Sequence, residues 1–286
     1  MSVMNTISGF RRMVRGGPEV DRGNRNARVI AVAARKGGVG KTTTSVNLAA
    51  ELAKRHGRKV LLIDMDAQGH VEMSLRSEVP AGGSLESMSQ ILLGKRRDMH
   101  EIVRPTSVPG LWVIPSDREL NDTESLMSTR IGKELLLRHA LTYARSHFDV
   151  ILIDCPPNLG TLTVNALVAA DQVLIPCDLS TLSLDGVDSL IDTLETIQET
   201  LNPTIGVLGL LRTRVDRRNQ KMNLAIEDTL KERYGNWLLE TDIGVSTDIA
   251  KAQHDGRPVL NFKSQSRGAI AYQQLGEEID RRIFGA

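Results

Sequence analysis

Aromatic residues are scarce, at 3% of 286. That scarcity excludes the aromatic stacking platforms on which single-stranded nucleic acids are held. Cysteine is scarcer still. Cys155 and Cys177 stand at the ends of apolar runs, a spacing that suits neither a disulfide framework nor a C-x-x-C site. They read as buried thiols of a reducing compartment. No apolar stretch reaches the ~20 residues of a membrane span. No apolar core followed by small residues marks a secretory signal. A soluble, cytoplasmic protein is expected. Charge of one sign is also missing. The net charge is +1, so any nucleic-acid surface has to be a local patch.

What is present is an α/β pattern. The run from Val29 to Ala34 reads as a strand, and Thr44 to His56 as a helix. Lys59 to Asp66 and Asp149 to Asp154 read as two further buried strands, each ending in aspartate. Later strands are expected at Leu111 to Ile114, Gln172 to Pro176 and Ile205 to Leu211. Helical spacing marks Ser84 to Leu93, Gly132 to His147, Thr161 to Ala170, Ser183 to Glu199, Leu224 to Tyr234 and the stripe Ile270, Leu275, Ile279, Ile283. Strands alternating with helices predict a mostly parallel, twisted sheet covered on both faces. Without an internal repeat or linker, one domain is expected over residues 28–286.

Residues 1–27 form a basic N-terminal extension. Met4, Ile7, Phe10 and Val14 recur at helical spacing, with Arg11, Arg12 and Arg15 among them. That suits a short amphipathic helix for a membrane surface or a protein partner. An unstructured tail is the other reading, since short isolated helices are marginal in water.

Between the first strand and helix lies Arg35-Lys36-Gly37-Gly38-Val39-Gly40-Lys41-Thr42-Thr43. A glycine-rich turn entering a helix cradles phosphates with its backbone N–H groups and the helix dipole. Lys41 is placed to reach the β- and γ-phosphates, and Thr42 to ligate Mg²⁺. One glycine is lacking: the usual pattern has it at position 35, where Arg35 stands, and a second lysine, Lys36, follows. Asp154 ends a buried strand, as does the carboxylate that holds Mg²⁺ through water in P-loop nucleotidases. Asp64 and Asp66 are read as sharing one side of their strand, one beside the metal and one orienting the attacking water.

These segments resemble the ParA/MinD family, whose P-loop deviates in this same way. The resemblance is carried by Lys36 to Thr44, Asp64-Met65-Asp66-Ala67-Gln68-Gly69, Asp154-Cys155-Pro156-Pro157-Asn158-Leu159-Gly160, Thr163-Val164-Asn165-Ala166-Leu167 and Leu184-Asp185-Gly186. Gly256-Arg257-Pro258-Val259 and Gly268-Ala269-Ile270-Ala271-Tyr272 continue it, so it spans about residues 28–280 and is closest to the Soj-like ParA branch. The resemblance implies a single P-loop NTPase domain with ATP and Mg²⁺ as cofactors. It implies Lys36, Gly37, Gly38, Val39, Gly40, Lys41, Thr42 and Thr43 on the nucleotide, and Thr42, Asp154 (through water) and Asp64 (outer shell) at the metal. Lys36 is implied to act across an ATP-bound homodimer, and Asp66 to position water. A ParB-like or other partner protein is implied to trigger hydrolysis, with the extension as one place for its contact, and the protein is implied to sit on the nucleoid. The alternative within the family is a MinD-like, membrane-associated ATPase of the division site. Its C-terminal amphipathic anchor is not matched by Glu277 to Phe284, which carries three acids. An iron–sulfur reductase related to the same fold is not matched by the positions of Cys155 and Cys177.

The chain departs from the family twice. Ala67 replaces a proline, which loosens that turn and removes no chemical group, and Ile243-Gly244-Val245 stands where relatives have an Ile-Pro-Arg stretch that helps bind DNA. Arg212, Arg214, Arg217, Arg218 and Lys221 form a basic cluster with Asp216 as its one acid. It is expected to bind double-stranded DNA without sequence preference, presented twice by a dimer, and Lys251, Arg257, Lys263 and Arg267 extend it. Thr213-Arg214-Val215-Asp216 faintly resembles the guanine-selecting T-K-x-D, with arginine for lysine.

Overall fold

The computed structural model describes residues 25–80, 88–94, 99, 102–216, 218 and 220–285. The amphipathic segment of the extension, the start of the helix expected from Ser84, and Arg217 lie outside the described residues.

Near-continuous apolar runs produce strands buried on both faces. β1 (Arg28–Val32), β2 (Val60–Asp64) and β5 (Val150–Asp154) are of this kind. With β3 (Arg104–Pro105), β4 (Leu111–Ile114), β6 (Gln172–Asp178), β7 (Gly206–Val215) and β8 (Leu238–Gly244) they form one sheet, ordered β3-β4-β2-β5-β1-β6-β7-β8. All neighbours pair parallel except β3 with β4. The expected mostly parallel sheet is observed. β1 lies between β5 and β6, and Val32 pairs with Asp154. The loop after β1 therefore opens beside the aspartate that ends β5.

Eleven helices are present among the described residues. They are α1 (Lys41–Lys54), α2 (His70–Leu75), α3 (Met88–Leu92), α4 (Leu120–Met127), α5 (Leu136–Ala144), α6 (Thr161–Ala169), α7 (Thr181–Thr200), α8 (Gln220–Tyr234), α9 (Thr247–Asp255), α10 (Val259–Phe262) and α11 (Arg267–Phe284). Alternation along β1 sends Val29 and Ala31 to one face and Ile30 and Val32 to the other, each into its own core. The first core is closed by α3 to α8, the second by α1, α2 and α9 to α11.

α11 shows why periodicity identified it. Leu275, Ile279 and Ile283 are buried against α1 and β8 as expected, while Tyr272 takes the place expected of Ile270, which is exposed. Each such side chain contributes about 1.5–3 kcal/mol by leaving water. Ser266 caps its first turn by accepting from Ala269 N.

Candidate active site

The β1–α1 loop closes because Gly38 and Gly40 take left-handed conformations, at φ 75° and 88°, which side chains disfavour. Two hydrogen bonds hold it from β7. Thr213 Oγ1 donates to the Val39 carbonyl at 2.7 Å and Arg214 Nη1 to the Gly38 carbonyl at 2.9 Å. α1 then starts at Lys41. A cleft of about 540 Å³ lies over the loop, lined by Gly37, Gly38, Gly40, Lys41, Thr42 and Thr43, by Asp66 and Pro157 on one side, and by Thr213, Ser246, Gln253 and Tyr272 on the other. The expected loop residues are thus brought to one cavity, apart from Lys36 and Val39, which do not line it.

Lys41 is 7% exposed, and its Nζ donates to the Lys36 carbonyl at 3.1 Å. Burial lowers its pKa, opposed by the charge of Asp154 and by Cys155 and Asp66. Asp154 is fully buried at the end of β5. It accepts from Thr42 Oγ1 at 2.7 Å and from Ser45 Oγ at 2.8 Å. Burial raises its pKa to about 6, and those two hydrogen bonds and Lys41 limit the rise. With its proton given to Asp154, the Thr42 oxygen keeps lone pairs for a cation. No group of three His, Cys, Asp or Glu side chains suited to a metal occurs among the described residues. A cation here would take most ligands from phosphate and water, as magnesium does. The residues present fit that ion.

Two expectations need correction. Asp64 and Asp66 do not share a strand face, because β2 ends at Asp64. Asp64 is fully buried, and its two carboxylate oxygens accept from Asp66 N at 2.9 Å and Val71 N at 3.2 Å. Burial and the neighbouring Asp154 hold its pKa well above the usual carboxylate range. Asp64 therefore shapes the loop that carries Asp66, beside Asp154 on the neighbouring strand. Asp66 lines the cleft, half-buried, with Oδ1 accepting from Gln68 N at 3.1 Å.

The second correction is Arg212. Its Nη2 donates to the Leu239 and Glu240 carbonyls at 3.1 and 3.0 Å, and Nη1 stands 3.6 Å from Glu227. With its side chain 12% exposed, it ties β7 to β8 and α8 and is withdrawn from any DNA surface. Arg214 is exposed, and its Nη1 reaches the Gly38 carbonyl of the phosphate loop. Arg218 is exposed and paired with Asp216 at 2.7 Å. The side chain of Lys221 lies outside the described residues.

Lys36 points elsewhere than into its own cleft. Its Nζ donates to both oxygens of Asp178, at 2.7 and 2.9 Å, and to Ser180 Oγ at 2.9 Å. Burial pulls the Asp178 pKa up, but hydrogen bonds from Lys36, Ser180 and Ser183 outweigh it and hold the group below its ordinary value. Ser180 also caps α7. Arg35 Nη1 donates to Ser189 Oγ at 2.7 Å, so two successive loop residues grip one helix. Asp178 and Ser180 were not singled out from sequence. The signal for Asp178 was available: like Asp64 and Asp154, it is an aspartate at the carboxyl end of a buried strand.

A family model described as an AAA domain matches residues 27–207. Over 252 residues the chain is 35% identical to the sporulation initiation inhibitor protein Soj of Bacillus subtilis, covering 88% of this chain and 98% of Soj. It is 35% identical over 257 residues to the chromosome partitioning protein ParA of Caulobacter vibrioides, covering 89% and 94%. The chain belongs to the ParA/MinD family of P-loop ATPases. The same fold is seen in the cobyrinic acid a,c-diamide synthase of Mycobacterium smegmatis, solved with a bound ATP analogue and magnesium. The TM-score is 0.73 and the identity 32%, over 91% of this chain and 97% of that one. As a ParA/MinD chain, it carries the extra lysine of the loop at Lys36. Cys155 and Cys177 are free and buried, with burial raising both thiol pKa values, Cys177 to about 12. Neither is presented as a cluster ligand.

Proposed function

We propose that the chain is a ParA-type positioning ATPase that hydrolyses ATP with Mg²⁺ and switches between a single chain and an ATP-bound homodimer. Lys41 holds the phosphates, Thr42 takes Mg²⁺, and Asp154 acts on it through water. Asp66 orients the attacking water. The water oxygen bonds to the γ-phosphorus while the bond to the β-phosphate oxygen breaks, leaving ADP and phosphate, with the water's released proton passing to solvent. Lys36 serves the opposite subunit's nucleotide, a charge delivered in trans.

The observation that supports this most is the position of Lys36. It lies outside its own cleft, on an aspartate it can exchange for another anion. An ATP-filled dimer supplies that anion. In the dimer, basic residues near the β7–α8 loop would meet DNA without sequence preference. Arg218, Arg217 and Lys221 belong to this set, with Lys251 and Arg267 near the start of α9 and α11. The β7–α8 loop and α9 are close, since Val245 N donates to the Val215 carbonyl at 3.2 Å. A partner protein then triggers hydrolysis and release from the nucleoid.

A MinD-like membrane reading is less supported. The apolar stripe of α11 is buried on the core, and the guanidinium of Arg58 lies 3.8 Å from the Phe284 ring centroid. Light scattering tests the switch: wild type with ATP and Mg²⁺ is expected to dimerise and bind random-sequence DNA. Asp66→Ala is expected to bind ATP and persist as a dimer. Equal DNA binding with ATP, with ADP and without nucleotide would overturn the reading.

A further inference from the structure

Arg214 is the one non-glycine residue with positive φ among the described residues, at 53°. Side chains reach that conformation at a cost, and such costs persist where the surroundings impose them. The surroundings are specific. Along β7, Thr213 pairs with Ile243 but Val215 pairs with Gly244, so Arg214 is an extra residue, a bulge against β8. Bulges re-aim side chains and favour site edges. In a regular strand, Thr213 and Arg214 would point to opposite faces. Here both reach the same loop. Their hydrogen bonds end on consecutive carbonyls, Val39 and Gly38.

Those two carbonyls belong to the tip of the phosphate loop. Fixing them from β7 fixes the peptide planes, and with them the N–H groups on the opposite side of each plane. A loop of glycines is otherwise the most freely rotating part of the chain. Arg214 is exposed and lines the cleft together with Gly38, Gly40 and Lys41. Of its five N–H donors, a single hydrogen bond, to Gly38, is described.

We propose that Arg214 is a positioning residue of the nucleotide site, holding the loop tip ready for a nucleoside triphosphate, and is not part of the DNA surface. This rests on the ATPase reading above. A glycine at 214 would remove the strain and the hydrogen bond together. An arginine in this left-handed bulge is accounted for by what its side chain does to Gly38.

The test uses the full chain with Arg214→Gly and Arg214→Lys. Arg214→Gly fits the backbone, so its melting temperature should match or exceed that of wild type. Its KM for ATP should rise about tenfold, a loss of about one good hydrogen bond to the loop. Its kcat at saturating ATP should stay within about twofold, since Lys41, Thr42 and Asp66 are untouched. Arg214→Lys should recover part of the lost affinity, because an ammonium can still donate to Gly38. At saturating ATP, DNA affinity and its salt slope should be unchanged in both variants. Unchanged KM with weaker, less salt-sensitive DNA binding would overturn the proposal and make Arg214 a phosphate contact on DNA. Unchanged values throughout would overturn it as well. Wild type that turns over no ATP would fail the ATPase reading itself, a different result from wild-type turnover matched by both variants.

Discussion

Lys36 and Asp178 form a two-point ion pair in the single chain, with Nζ 2.7 and 2.9 Å from the carboxylate oxygens. The pair is one-quarter exposed, and the same carboxylate receives hydroxyls from Ser180 and Ser183. In the proposed dimer, Lys36 would have to leave this pair to reach the opposite nucleotide. Its strength is therefore subtracted from the strength of the dimer.

Asp178→Asn should keep the serine contacts and weaken the hold on Lys36. The expected outcome is tighter ATP-dependent dimerisation, by about thirtyfold, since two ion pairs open per dimer, each worth about 1 kcal/mol at this exposure. Sedimentation at several protein concentrations reads it. Dimerisation weaker than wild type would show that Asp178 serves the dimer instead.

Asp154 should set an acid limit on magnesium use. With its pKa raised to about 6, the carboxylate is protonated as pH falls below 6 and loses its attraction for a cation. The Mg²⁺ concentration giving half-maximal ATP turnover should rise about tenfold per pH unit below that point. Asp154→Asn should be impaired at every pH, without the break near 6.

Glu51 gives stability the opposite pH dependence from the usual acid unfolding. It is buried in α1, where an alanine at Gly276 of α11 would place Cβ 3.1 Å from its Cβ. Both carboxylate oxygens lack a hydrogen-bond partner, although Arg55 Nε stands 3.1 Å from one. Burial raises its pKa to about 7, with Arg55 and Lys54 limiting the rise. A folded pKa above the unfolded value means that the folded state binds the extra proton. This group therefore costs stability as pH rises from about 4.5 to 7. Glu51→Gln should flatten that dependence and raise the melting temperature at pH 8 by about 4 °C. Thermal scans from pH 5 to 8 without nucleotide measure it.

Arg212→Ala should destabilise the chain by about 2 kcal/mol, because the Leu239 and Glu240 carbonyls lose a charged donor and Glu227 loses its partner. At temperatures where the variant is folded, its affinity for DNA should equal that of wild type. Chemical denaturation and fluorescence anisotropy separate the two effects.

The legible parts of the chain were those where one physical pattern dominates. β1, β2, β5 and β6 are apolar almost throughout, because they are buried on both faces. The glycine-rich loop announces itself through residues that no other structure requires. β8 did not, since Leu-Leu-Glu-Thr-Asp-Ile-Gly alternates imperfectly and pairs only with β7 on the sheet edge. α9 escaped because Ala252 is its single buried residue. The arginine cluster misled for a different reason. Nearness along a chain says nothing about direction, and a strand with a bulge sends Arg212 to the carbonyls of β8, Arg214 to the loop and Arg218 to solvent. Asp64 and Asp66 misled similarly, because the strand stopped two residues sooner than the apolar run suggested.

α7 is gripped at one end by Arg35 and Lys36, and its twenty residues make it about 30 Å long. Its far end, Thr200, leads into Asn202, which donates to the Ala170 carbonyl at the opposite rim of the sheet. A tilt of about 5° about Ser180 would move that far end by roughly 2.6 Å for a rod of this length. The lysine proposed to reach the opposite subunit's nucleotide is thereby fastened to a lever whose other end is held to the Ala170 carbonyl, at the rim of the sheet away from the phosphate loop.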